Sequence, residues 1–416
     1  MGKQNIIVGL DVGTSKVRVV VASIKRKEDI KPRIIGVGES DSMGMRKGTV
    51  VDIDEMTKSI KRAVEQAERS SGVSIEKAYV SIGGSHIRAR KSKGTVAVSR
   101  ADEEVSEDDI KRAIDNASAI SLDRNREVMN VMYREFTIDD QQGIQDPRGM
   151  NGVKLEVDTI LVEGLSPHIK NLRKCLSNAG IEIESLVLDV LAASQSVITR
   201  RQKELGVLVL DLGGGTAGMV VYEERKLLHI HILPVGSSHI TNDIAIGLKS
   251  SIDVAEKVKL EYGSCLPDEM KKKDTIDLSE IDEKEEGVVS RKEIAQIIEA
   301  RMEEIFSMIN DELKKIDRQK LLPSGVILVG GGSKIPGIID MAKEKLNLPA
   351  QIGYPQELEG LSDKVDDPAY ATAVGLIFWA MDLEDGKEEG KLFPGKMSSR
   401  NGTVNKIKDW FRSMIP

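Results

Sequence analysis

The stretch that most constrains this chain runs from Val207 to Gly218 and reads VLVLDLGGGTAG. Its branched and apolar residues predict a central β-strand that is covered on both faces. Gly213, Gly214 and Gly215 then predict a turn whose backbone N–H groups can converge on an anion, because no Cβ screens them. Asp211 ends the strand, and a carboxylate beside phosphate oxygens is favourable only with a divalent cation between them. The pattern therefore predicts a nucleoside triphosphate with Mg²⁺.

A similar stretch occurs near the N-terminus, where residues 6–15 read IIVGLDVGTS. A strand again ends in an aspartate, Asp11, and is followed by Gly13 and the hydroxyl pair Thr14 and Ser15. Two copies of a phosphate-binding hairpin imply two similar domains that face one ligand. Each copy by itself could also be an ordinary hairpin turn.

A third glycine cluster, Gly330–Gly332, follows the strand-like residues 325–329 and precedes Ser333. In this order the three stretches resemble the first phosphate loop, the second phosphate loop and the adenosine loop of the actin/Hsp70/sugar-kinase superfamily. The resemblance implies an α/β protein with an actin-like two-domain ATPase fold, repeated βββαβα cores, and ATP in the cleft between the domains. Asp11 and Asp211 would hold Mg²⁺ mostly through water, because this ion dehydrates reluctantly. The residues that the resemblance assigns to the nucleotide are Asp11, Gly13, Thr14, Ser15, Lys16, Asp211, Gly213, Gly214, Gly215, Thr216, Gly236, Glu256, Lys259, Gly330, Gly331, Gly332 and Ser333.

Length and composition exclude several classes of protein. A chain of 416 residues suits two to four subdomains, each with its own core. A net charge of −7 argues against a nucleic-acid-binding protein, which would carry a basic excess. The cysteines, Cys175 and Cys265, indicate neither a disulfide framework nor a thiolate metal site. The sequence shows no signal peptide and no apolar run of the roughly 20 residues that span a bilayer, so we expect a cytoplasmic protein or one peripheral to a membrane.

Residues 78–87, AYVSIGGSHI, narrow the resemblance to the FtsA family of bacterial division proteins, in which such a strand leads into an inserted subdomain. Residues 139–157, DDQQGIQDPRGMNGVKLEV, resemble the same family. Within this insert, Ser106 with Asp109 three positions later predicts a capping box at the start of a helix. The resemblance covers essentially the whole chain. The organisation that it implies is subdomain 1A at residues 1–83, 164–195 and 366–383, the FtsA-type inserted subdomain 1C at 84–163, subdomain 2A at 196–235 and 318–365, subdomain 2B at 236–317, a flexible linker at 384–403 and an amphipathic helix at 404–416.

Asp189 lies in the LVLDVLAAS run of residues 186–194 and is the candidate catalytic residue. It falls where related ATPases carry a carboxylate or glutamine near the attacking water. A solvated strand end or a helix cap would equally place an aspartate here. Glu256 and Lys259, which the resemblance directs toward ribose and adenine, could likewise belong to a solvated, charged helix face.

Two histidines, His229 and His231, lie two positions apart on a predicted strand and therefore share one face. They could form half of a metal site. No third ligand has a suitable spacing in the sequence, so we expect ordinary strand positions.

The resemblance also implies partners. In the FtsA family the C-terminal peptide of the tubulin-like protein FtsZ docks on the subdomain that contains the helix predicted over residues 290–317. An acidic peptide needs cationic partners beside an apolar groove, and the candidates are Arg291, Lys292 and Arg301. These cations could instead form ordinary salt bridges on a solvated face, with Glu299, Glu303 and Glu304 as partners.

The last residues, 404–416, read VNKIKDWFRSMIP and form one apolar stripe of a helix. The stripe consists of Val404, Ile407, Trp410, Phe411, Met414 and Ile415. A core helix would need a partner surface, but the flexible linker at 384–403 argues against fixed docking, so we expect binding to an anionic membrane surface. A single tail would bind weakly, whereas a filament that displays many tails would bind firmly.

The FtsA resemblance thus implies an ATP-binding cell division protein that self-assembles into filaments and tethers FtsZ filaments to the cytoplasmic side of the cell membrane at the division septum. Other divisome proteins would be further partners, and any ATPase activity is expected to be slow at most. An MreB-like membrane filament would lack the insert after SIGGSHI. A sugar kinase would not need the amphipathic tail, and an Hsp70-type chaperone would carry a β-domain after its ATPase.

Overall fold

The computed structural model describes residues 5–24, 31–271 and 273–384. Its helices are α1 (Ile53–Ser71), α2 (Glu107–Ser118), α3 (Ser166–Asn178), α4 (Asp189–Val197), α5 (Arg200–Leu205), α6 (Ser237–Leu248), α7 (Ile252–Tyr262), α8 (Arg291–Lys315), α9 (Ile338–Leu346) and α10 (Ala371–Glu384). Its strands are β1 (Asn5–Val12), β2 (Lys16–Ile24), β3 (Arg33–Asp41), β4 (Met45–Arg46), β5 (Thr49–Val50), β6 (Lys77–Ile82), β7 (Arg88–Ala97), β8 (Arg126–Ile138), β9 (Gln141–Ile144), β10 (Lys154–Leu165), β11 (Glu182–Leu188), β12 (Val207–Leu212), β13 (Ala217–Glu223), β14 (Lys226–Leu233), β15 (Thr275–Asp277), β16 (Val288–Ser290), β17 (Val326–Val329), β18 (Ala350–Ile352) and β19 (Glu359–Gly360).

The first half of the fold is built on a six-stranded sheet in the order β11-β6-β1-β2-β3-β19. Strands β1, β2 and β3 pair antiparallel, and β6 and β11 continue the sheet in parallel with β1. Successive side chains of β1 point to opposite faces, so Leu10 packs in one cluster with Ile60 of α1, whereas Ile7 packs in another with Ile377 of α10. Helices therefore cover both faces of β1, which explains its continuous apolar run.

The second half repeats this plan in a five-stranded sheet with the order β14-β13-β12-β17-β18. Strands β12, β13 and β14 pair antiparallel, and β17 and β18 continue the sheet in parallel with β12. The turns repeat as well. A Cβ built on Gly13 would lie 2.9 Å from the carbonyl oxygen of Lys16, and one built on Gly213 would lie 2.9 Å from that of Thr216. The internal repeat predicted from the sequence is confirmed in both strand order and turn geometry.

Between β6 and α3 the chain forms a separate four-stranded sheet in the order β7-β10-β8-β9, with α2 packed against it. The hydroxyl of Ser106 accepts a hydrogen bond from the backbone N–H of Asp109, and the Asp109 carboxylate accepts one from the backbone N–H of Ser106. This confirms the predicted capping box. The helix lies close on β7, because a Cβ at Gly94 would be 2.0 Å from the carbonyl oxygen of Ala113.

Helix α8 spans the side of the second half and buries an apolar stripe in the same core as β12 and β17. The buried residues of this stripe are Ile294, Ile298, Met302, Ile305, Phe306 and Ile309. Helix α6 packs closely on it, since a Cβ at Gly247 would lie 2.7 Å from the Cδ1 atom of Ile297. Burying each of these apolar side chains of α8 stabilises the fold by roughly 1.5–3 kcal/mol.

Helix α10 closes the first half. A Cβ at Gly375 would lie 1.8 Å from the carbonyl oxygen of Ala192, so α10 and α4 meet at backbone distance. A Cβ at Gly9 of β1 would lie 2.2 Å from the carbonyl oxygen of Ala373. These contacts fix α10 against both a helix and the central strand.

The predicted linker begins at residue 384, the last residue of α10. The rest of the linker and the predicted terminal helix fall on residues 385–416, which lie outside the described part of the chain. They include the candidate membrane residues Ile407, Trp410, Phe411, Met414 and Ile415. Among the described residues, none of the helices has both the length and the apolar character needed to cross a bilayer.

Candidate functional site

Three aspartate side chains meet between the two halves of the fold. Asp11 lies near the end of β1, Asp211 near the end of β12, and Asp189 is the first residue of α4. The hydroxyl of Ser81 donates a 2.7 Å hydrogen bond to Oδ1 of Asp11, and the hydroxyl of Thr372 donates a 3.4 Å hydrogen bond to Oδ2 of Asp211. Two repeated strands and one helix start thus bring together the three carboxylates that the sequence indicated separately.

The electrostatic surroundings of these carboxylates disfavour their charged forms. Burial, reinforced by repulsion from Asp11, raises the pKa of Asp211 to about 7. Burial, together with repulsion from Asp211 and Asp11, raises the pKa of Asp189 well above its ordinary value. The pKa of Asp11 is also raised by burial, although Ser81 and Arg18 oppose this. A divalent cation would replace this repulsion by attraction, and the oxygen-only donor set fits Mg²⁺.

Asp189 is held in place on two sides. A Cβ built on Gly83 would lie 2.0 Å from Oδ2 of Asp189, and the backbone N–H of Val190 donates a 2.7 Å hydrogen bond to Oδ1. As the first residue of a helix, this carboxylate also lies near the positive end of the helix dipole. Asp189 is therefore neither a solvated strand end nor the cap of α4, whose N-cap is Leu188, and its catalytic role stays a prediction.

The two phosphate loops, Gly13–Lys16 and Gly213–Thr216, touch each other. A Cβ on Gly214 would lie 2.2 Å from Oγ of Ser15, and one on Gly215 would lie 2.7 Å from Oγ1 of Thr14. The backbone N–H of Gly48 donates a 3.0 Å hydrogen bond to the Thr14 hydroxyl. Only glycine at these positions allows the two loops to face one space.

Helix α6 begins directly behind the second of these loops. The backbone N–H groups of Ser237 and Ser238 donate hydrogen bonds of 2.9 and 2.8 Å to the carbonyl oxygens of Gly213 and Gly214. A Cβ on Gly236, the residue before the helix, would lie 2.6 Å from both carbonyl oxygens. A side chain would therefore not fit at Gly236, and the helix N-terminus adds positive potential to the loop.

The side chain of Lys16, one of the residues predicted to hold the nucleotide, makes other contacts. The ammonium group of Lys16 lies 2.8 Å from a carboxylate oxygen of Asp41 and 3.5 Å from one of Glu39. Thr216 is only 8% exposed. The backbone of the first loop is closed by a 3.1 Å hydrogen bond from the N–H of Gly13 to the carbonyl oxygen of Lys16.

The third glycine cluster lies beside Asp211. Gly330 has φ of 82°, and a Cβ there would lie 2.3 Å from Oδ1 of Asp211. The buried hydroxyl of Ser333 donates a 2.7 Å hydrogen bond to the carbonyl oxygen of Gly330 and closes the turn. Gly331 has open space where a Cβ would stand, whereas a Cβ on Gly332 would lie 2.9 Å from the carbonyl oxygen of Leu212. The three predicted loops are therefore neighbours in the fold.

A cavity of about 540 Å³ opens on the far side of this third loop. Its lining runs from Ser333 to Asp340 and includes Tyr354 and Asp367. Of the residues predicted to hold the nucleotide, Ser333 is the one that lines it. Phosphate binding in the cleft with the three carboxylates, and not in this cavity, therefore stays the prediction.

Glu256 and Lys259 form a polar cluster between α6 and α7. The ammonium group of Lys259 lies 2.6 Å from Oε2 of Glu256 and 2.8 Å from the hydroxyl of Thr241. Lys259 is only 8% exposed, so a freely solvated charged face does not describe it. The cluster fixes the relative position of the two helices, and its contact with a nucleoside stays a prediction.

The cations at the start of α8 are already engaged. Nε of Arg291 donates a 3.1 Å hydrogen bond to the carbonyl oxygen of Tyr262. The ammonium group of Lys292 lies 3.2 Å from Oδ1 of the exposed Asp268. Arg291 thus holds the end of α7, and Lys292 makes a surface ion pair, which typically contributes about 0–1 kcal/mol.

Arg301 makes a two-point ion pair with α6. Its Nε and Nη2 atoms lie 2.6 and 2.9 Å from the two carboxylate oxygens of Asp243 in α6, and Nη1 also pairs with Glu304. The predicted alternative partner Glu304 is confirmed. Glu303 pairs instead with Lys345 at 2.6 Å, and Asp243 was missed because it lies on another helix.

Sequence reasoning missed three neighbours of the carboxylates, namely Ser81, Gly83 and Thr372. Ser81 and Gly83 belong to the SIGGSHI segment, whose sequence indicated only the inserted subdomain. Ser81 also accepts a 2.9 Å hydrogen bond from the backbone N–H of Val12, so it joins β6 to the end of β1. The run of small residues in this segment was a signal for such close contacts. The contact of Ser81 with Asp11, however, depends on how β6 pairs with β1.

The FtsA family matches this chain in two parts. The family model described as "Cell division protein FtsA" matches residues 208–375, and the "SHS2 domain inserted in FTSA" matches residues 84–163. The chain is 35% identical over 376 residues to the cell division protein FtsA of Pseudomonas aeruginosa, covering 90% of this chain and 89% of that protein. It is 34% identical over 415 residues to FtsA of Neisseria meningitidis serogroup B, covering 99% of each.

Solved structures share the fold at lower identity. The PilM-PilN type IV pilus biogenesis complex contains a chain with a TM-score of 0.64 and 16% identity, covering 89% of this chain and 97% of that chain. MreB5 of Spiroplasma citri bound to ADP gives a TM-score of 0.53 at 12% identity, covering 92% and 98%. The actin-like α/β fold predicted from the sequence is confirmed.

The first testable consequence concerns stability without nucleotide or metal. Folded Asp211 keeps its proton up to about pH 7, whereas the unfolded chain releases it near 3.8. Between these values the folded state binds more protons, so stability falls as pH rises and stays reduced above pH 7. Asp211→Asn should therefore raise the free energy of unfolding by roughly 1–3 kcal/mol at about pH 8, and less at about pH 4.

Urea unfolding in EDTA at both pH values measures this difference. Asp140→Asn, in the exposed turn between β8 and β9, is the matched control and should change little at either pH. An Asp211→Asn protein that is less stable than the wild type at about pH 8 would contradict the electrostatic description of the cleft.

Proposed function

This chain belongs to the FtsA family of cell division proteins, and we propose that it binds Mg²⁺ and ATP and assembles into filaments. These filaments would link FtsZ filaments to the cytoplasmic side of the cell membrane at the division septum. Recruitment of other divisome proteins would follow from the same assembly. The observation that carries the nucleotide part is the meeting of three mutually repelling carboxylates with two glycine-rich loops that face each other.

The loops provide the donors that a triphosphate requires. The Thr14 hydroxyl accepts a hydrogen bond from the N–H of Gly48, which leaves its own proton for a phosphate oxygen. Ser15 lies against Gly214 and supplies a second hydroxyl on the same side. The backbone N–H groups of Gly213–Thr216 and the N-terminus of α6 would add further positive potential. The related fold of MreB5, solved with ADP, supports a nucleotide in this architecture.

The carboxylates have distinct proposed roles. Asp11 and Asp211 would hold Mg²⁺ mostly through water, and the bound ion would neutralise charge between the carboxylates and the phosphates. Asp189 would orient a water molecule toward the γ-phosphate, a positioning role that requires a fixed carboxylate. The contact with Gly83 and the hydrogen bond from Val190 fix it in this way.

The FtsZ peptide is proposed to dock on the face formed by α6 and α8. Ile246 of α6 is 74% exposed and lies one helical turn after Asp243, the partner of Arg301. An exposed aliphatic side chain next to a cation suits a peptide that carries both apolar and acidic residues. Its carboxylate would take the place of Asp243 at Arg301, so the existing ion pair competes with binding.

Attachment to the membrane is proposed for residues 404–416. The apolar stripe that includes Trp410 would enter the interface, and each cation close to anionic lipid adds about 1 kcal/mol. A helix of this length is marginal in water, so its ordering costs roughly 1–2 kcal/mol per residue. One tail would therefore bind reversibly, and assembly would supply the avidity.

Asp211→Asn should weaken Mg²⁺–ATP binding about tenfold or more while leaving the affinity for metal-free ATP nearly unchanged. The reason is that asparagine keeps the shape of the side chain but not the charge that the ion requires. Titration with a fluorescent ATP analogue, in Mg²⁺ and in EDTA, measures both affinities. Asp140→Asn should bind as the wild type does, and an equal loss with and without Mg²⁺ would rule out a metal role for Asp211.

Changes on the two sides of the α6–α8 ion pair should affect the FtsZ C-terminal peptide in opposite directions. Arg301→Gln removes the cation and should lower peptide affinity, whereas Asp243→Asn removes the competing carboxylate and should raise it. Fluorescence anisotropy with a labelled peptide measures the affinities, and Mg²⁺–ATP binding checks that both variants are folded. If both variants lose affinity to the same extent, the peptide does not exchange with Asp243.

Trp410→Glu should release the protein from vesicles that contain anionic lipid, because it places a charge within the apolar stripe. Co-sedimentation with vesicles measures the bound fraction, and nucleotide binding should not change. Lys408→Gln, on the polar side, is the matched control and should have the smaller effect. Tight vesicle binding by a demonstrably monomeric wild-type protein would contradict the avidity argument.

A further inference from the structure

A cluster of two imidazoles and one carboxylate lies outside the nucleotide cleft, where β14 meets α8. His229 and His231 project from the same face of β14, with parallel rings (3° between planes) and ring centroids 6.2 Å apart. The sequence offered no third ligand, and we expected ordinary strand positions. The fold brings Glu312 of α8 onto these rings from 83 positions further along the chain, and so adds a third candidate ligand that no sequence spacing indicated.

The ligand atoms are close to the spacing of a metal site. Nε2 of His229 lies 3.0 Å, and Nδ1 of His231 lies 3.6 Å, from the same Oε2 atom of Glu312. One ligand atom from each residue lies within 4.8 Å of the others. Bonds of about 2.0–2.2 Å in a tetrahedron place ligand atoms about 3.3–3.6 Å apart. A small rotation of the His231 ring would therefore bring the three atoms onto one ion.

The cluster is held in place by the fold and is not a chance contact of surface side chains. The Glu312 side chain is only 8% exposed, and it is held by packing in the last turns of α8. His229 is 18% exposed and His231 is 38% exposed, so the pair is fixed at its base but reachable from solvent.

The nearby cations do not block access. Lys315 pairs with the other oxygen of Glu312, Oε1, and its side chain is 63% exposed, so it can turn into solvent. Lys91 of β7 is a second cation that acts on His229. The carboxylate offsets one of these charges, and the solvent side of His231 leaves room for a water as fourth ligand.

We infer that His229, His231 and Glu312 bind a divalent transition-metal ion of the Zn²⁺ type, with water as the fourth ligand. Two imidazoles and one carboxylate form a donor set that zinc accepts, whereas Mg²⁺ and Ca²⁺ prefer oxygen ligands throughout. The site is therefore distinct from the proposed Mg²⁺ site in both location and chemistry, and it does not depend on the proposed function.

A bound ion would join two elements of the second half. It would connect β14 to α8, and β14 itself contacts the insert, where Nε of Arg134 donates a 3.0 Å hydrogen bond to the carbonyl oxygen of Leu227. The ammonium group of Lys226 lies 2.8 Å from Oε2 of Glu135 at the same junction. The ion would thus hold in place the strand on which the insert rests.

Titration of the full chain with Co²⁺, in excess Mg²⁺ and without nucleotide, tests the site, because four-coordinate Co²⁺ with imidazole ligands absorbs visible light. We expect saturation at about one ion per chain and displacement by Zn²⁺. His231→Gln should weaken binding about tenfold or more, and the double variant His229→Gln/His231→Gln should abolish the absorption. The same change at His168, a half-buried histidine of α3 away from the cluster, is the matched control and should bind as the wild type does.

Thermal unfolding provides a second readout that does not depend on the spectrum. Zn²⁺ should raise the melting temperature of the wild type and of His168→Gln, but not that of His231→Gln, because an ion that binds only the folded state stabilises it. The His231 side chain is 38% exposed, so its replacement should leave the fold intact, and an unchanged circular dichroism spectrum and metal-free melting temperature of His231→Gln check this. Equal Co²⁺ affinity in the wild type and in His231→Gln, or no saturable binding by the wild type, would overturn the assignment and leave a plain hydrogen-bonded cluster.

Discussion

Repulsion among Asp11, Asp189 and Asp211 is the constraint on which the arrangement of the two halves depends. Each carboxylate is disfavoured by burial, and the three also disfavour one another. The fold offsets this only in part, through the hydroxyl groups of Ser81 and Thr372. Because the carboxylates come from both repeats, a cation between them would stabilise the charged forms and the contact between the two halves together. The repulsion that destabilises the fold without a cation would therefore also favour the binding of Mg²⁺ and nucleotide.

Close backbone approach makes this meeting possible. The two phosphate loops touch where a side chain on Gly214 would collide with Ser15, and the third loop touches Asp211 where a side chain on Gly330 would collide with it. Behind the cleft, α4 and α10 meet at Gly375 at backbone distance. Substituting a larger residue at any of these points would separate elements by a large part of an ångström or more, and interiors tolerate such shifts poorly.

The insert is accommodated because its entry and exit strands are tied together. Arg88 starts β7 and Glu163 lies near the end of β10, and Nε of Arg88 lies 2.8 Å from a carboxylate oxygen of the fully buried Glu163. A buried carboxylate without this cation would be strongly unfavourable. The side chain of Asn130 adds a connection to the first sheet, since it donates to the carbonyl oxygen of Leu186 and accepts from the N–H of Leu188. A separate core can therefore be added without disturbing β6 and β11.

The sequence by itself determined the local elements and the chemistry of the loops. Continuous apolar runs predicted the strands that lead to Asp11 and Asp211, and the capping box at Ser106 predicted the start of α2, because these signals act between residues a few positions apart. Only the tertiary structure decided which distant side chains meet. Thr372 reaches Asp211, Asp243 reaches Arg301, and Glu312 reaches His229 only because helices dock on particular sheets and on one another. Such docking depends on the summed packing of many side chains, which no local spacing in the sequence encodes.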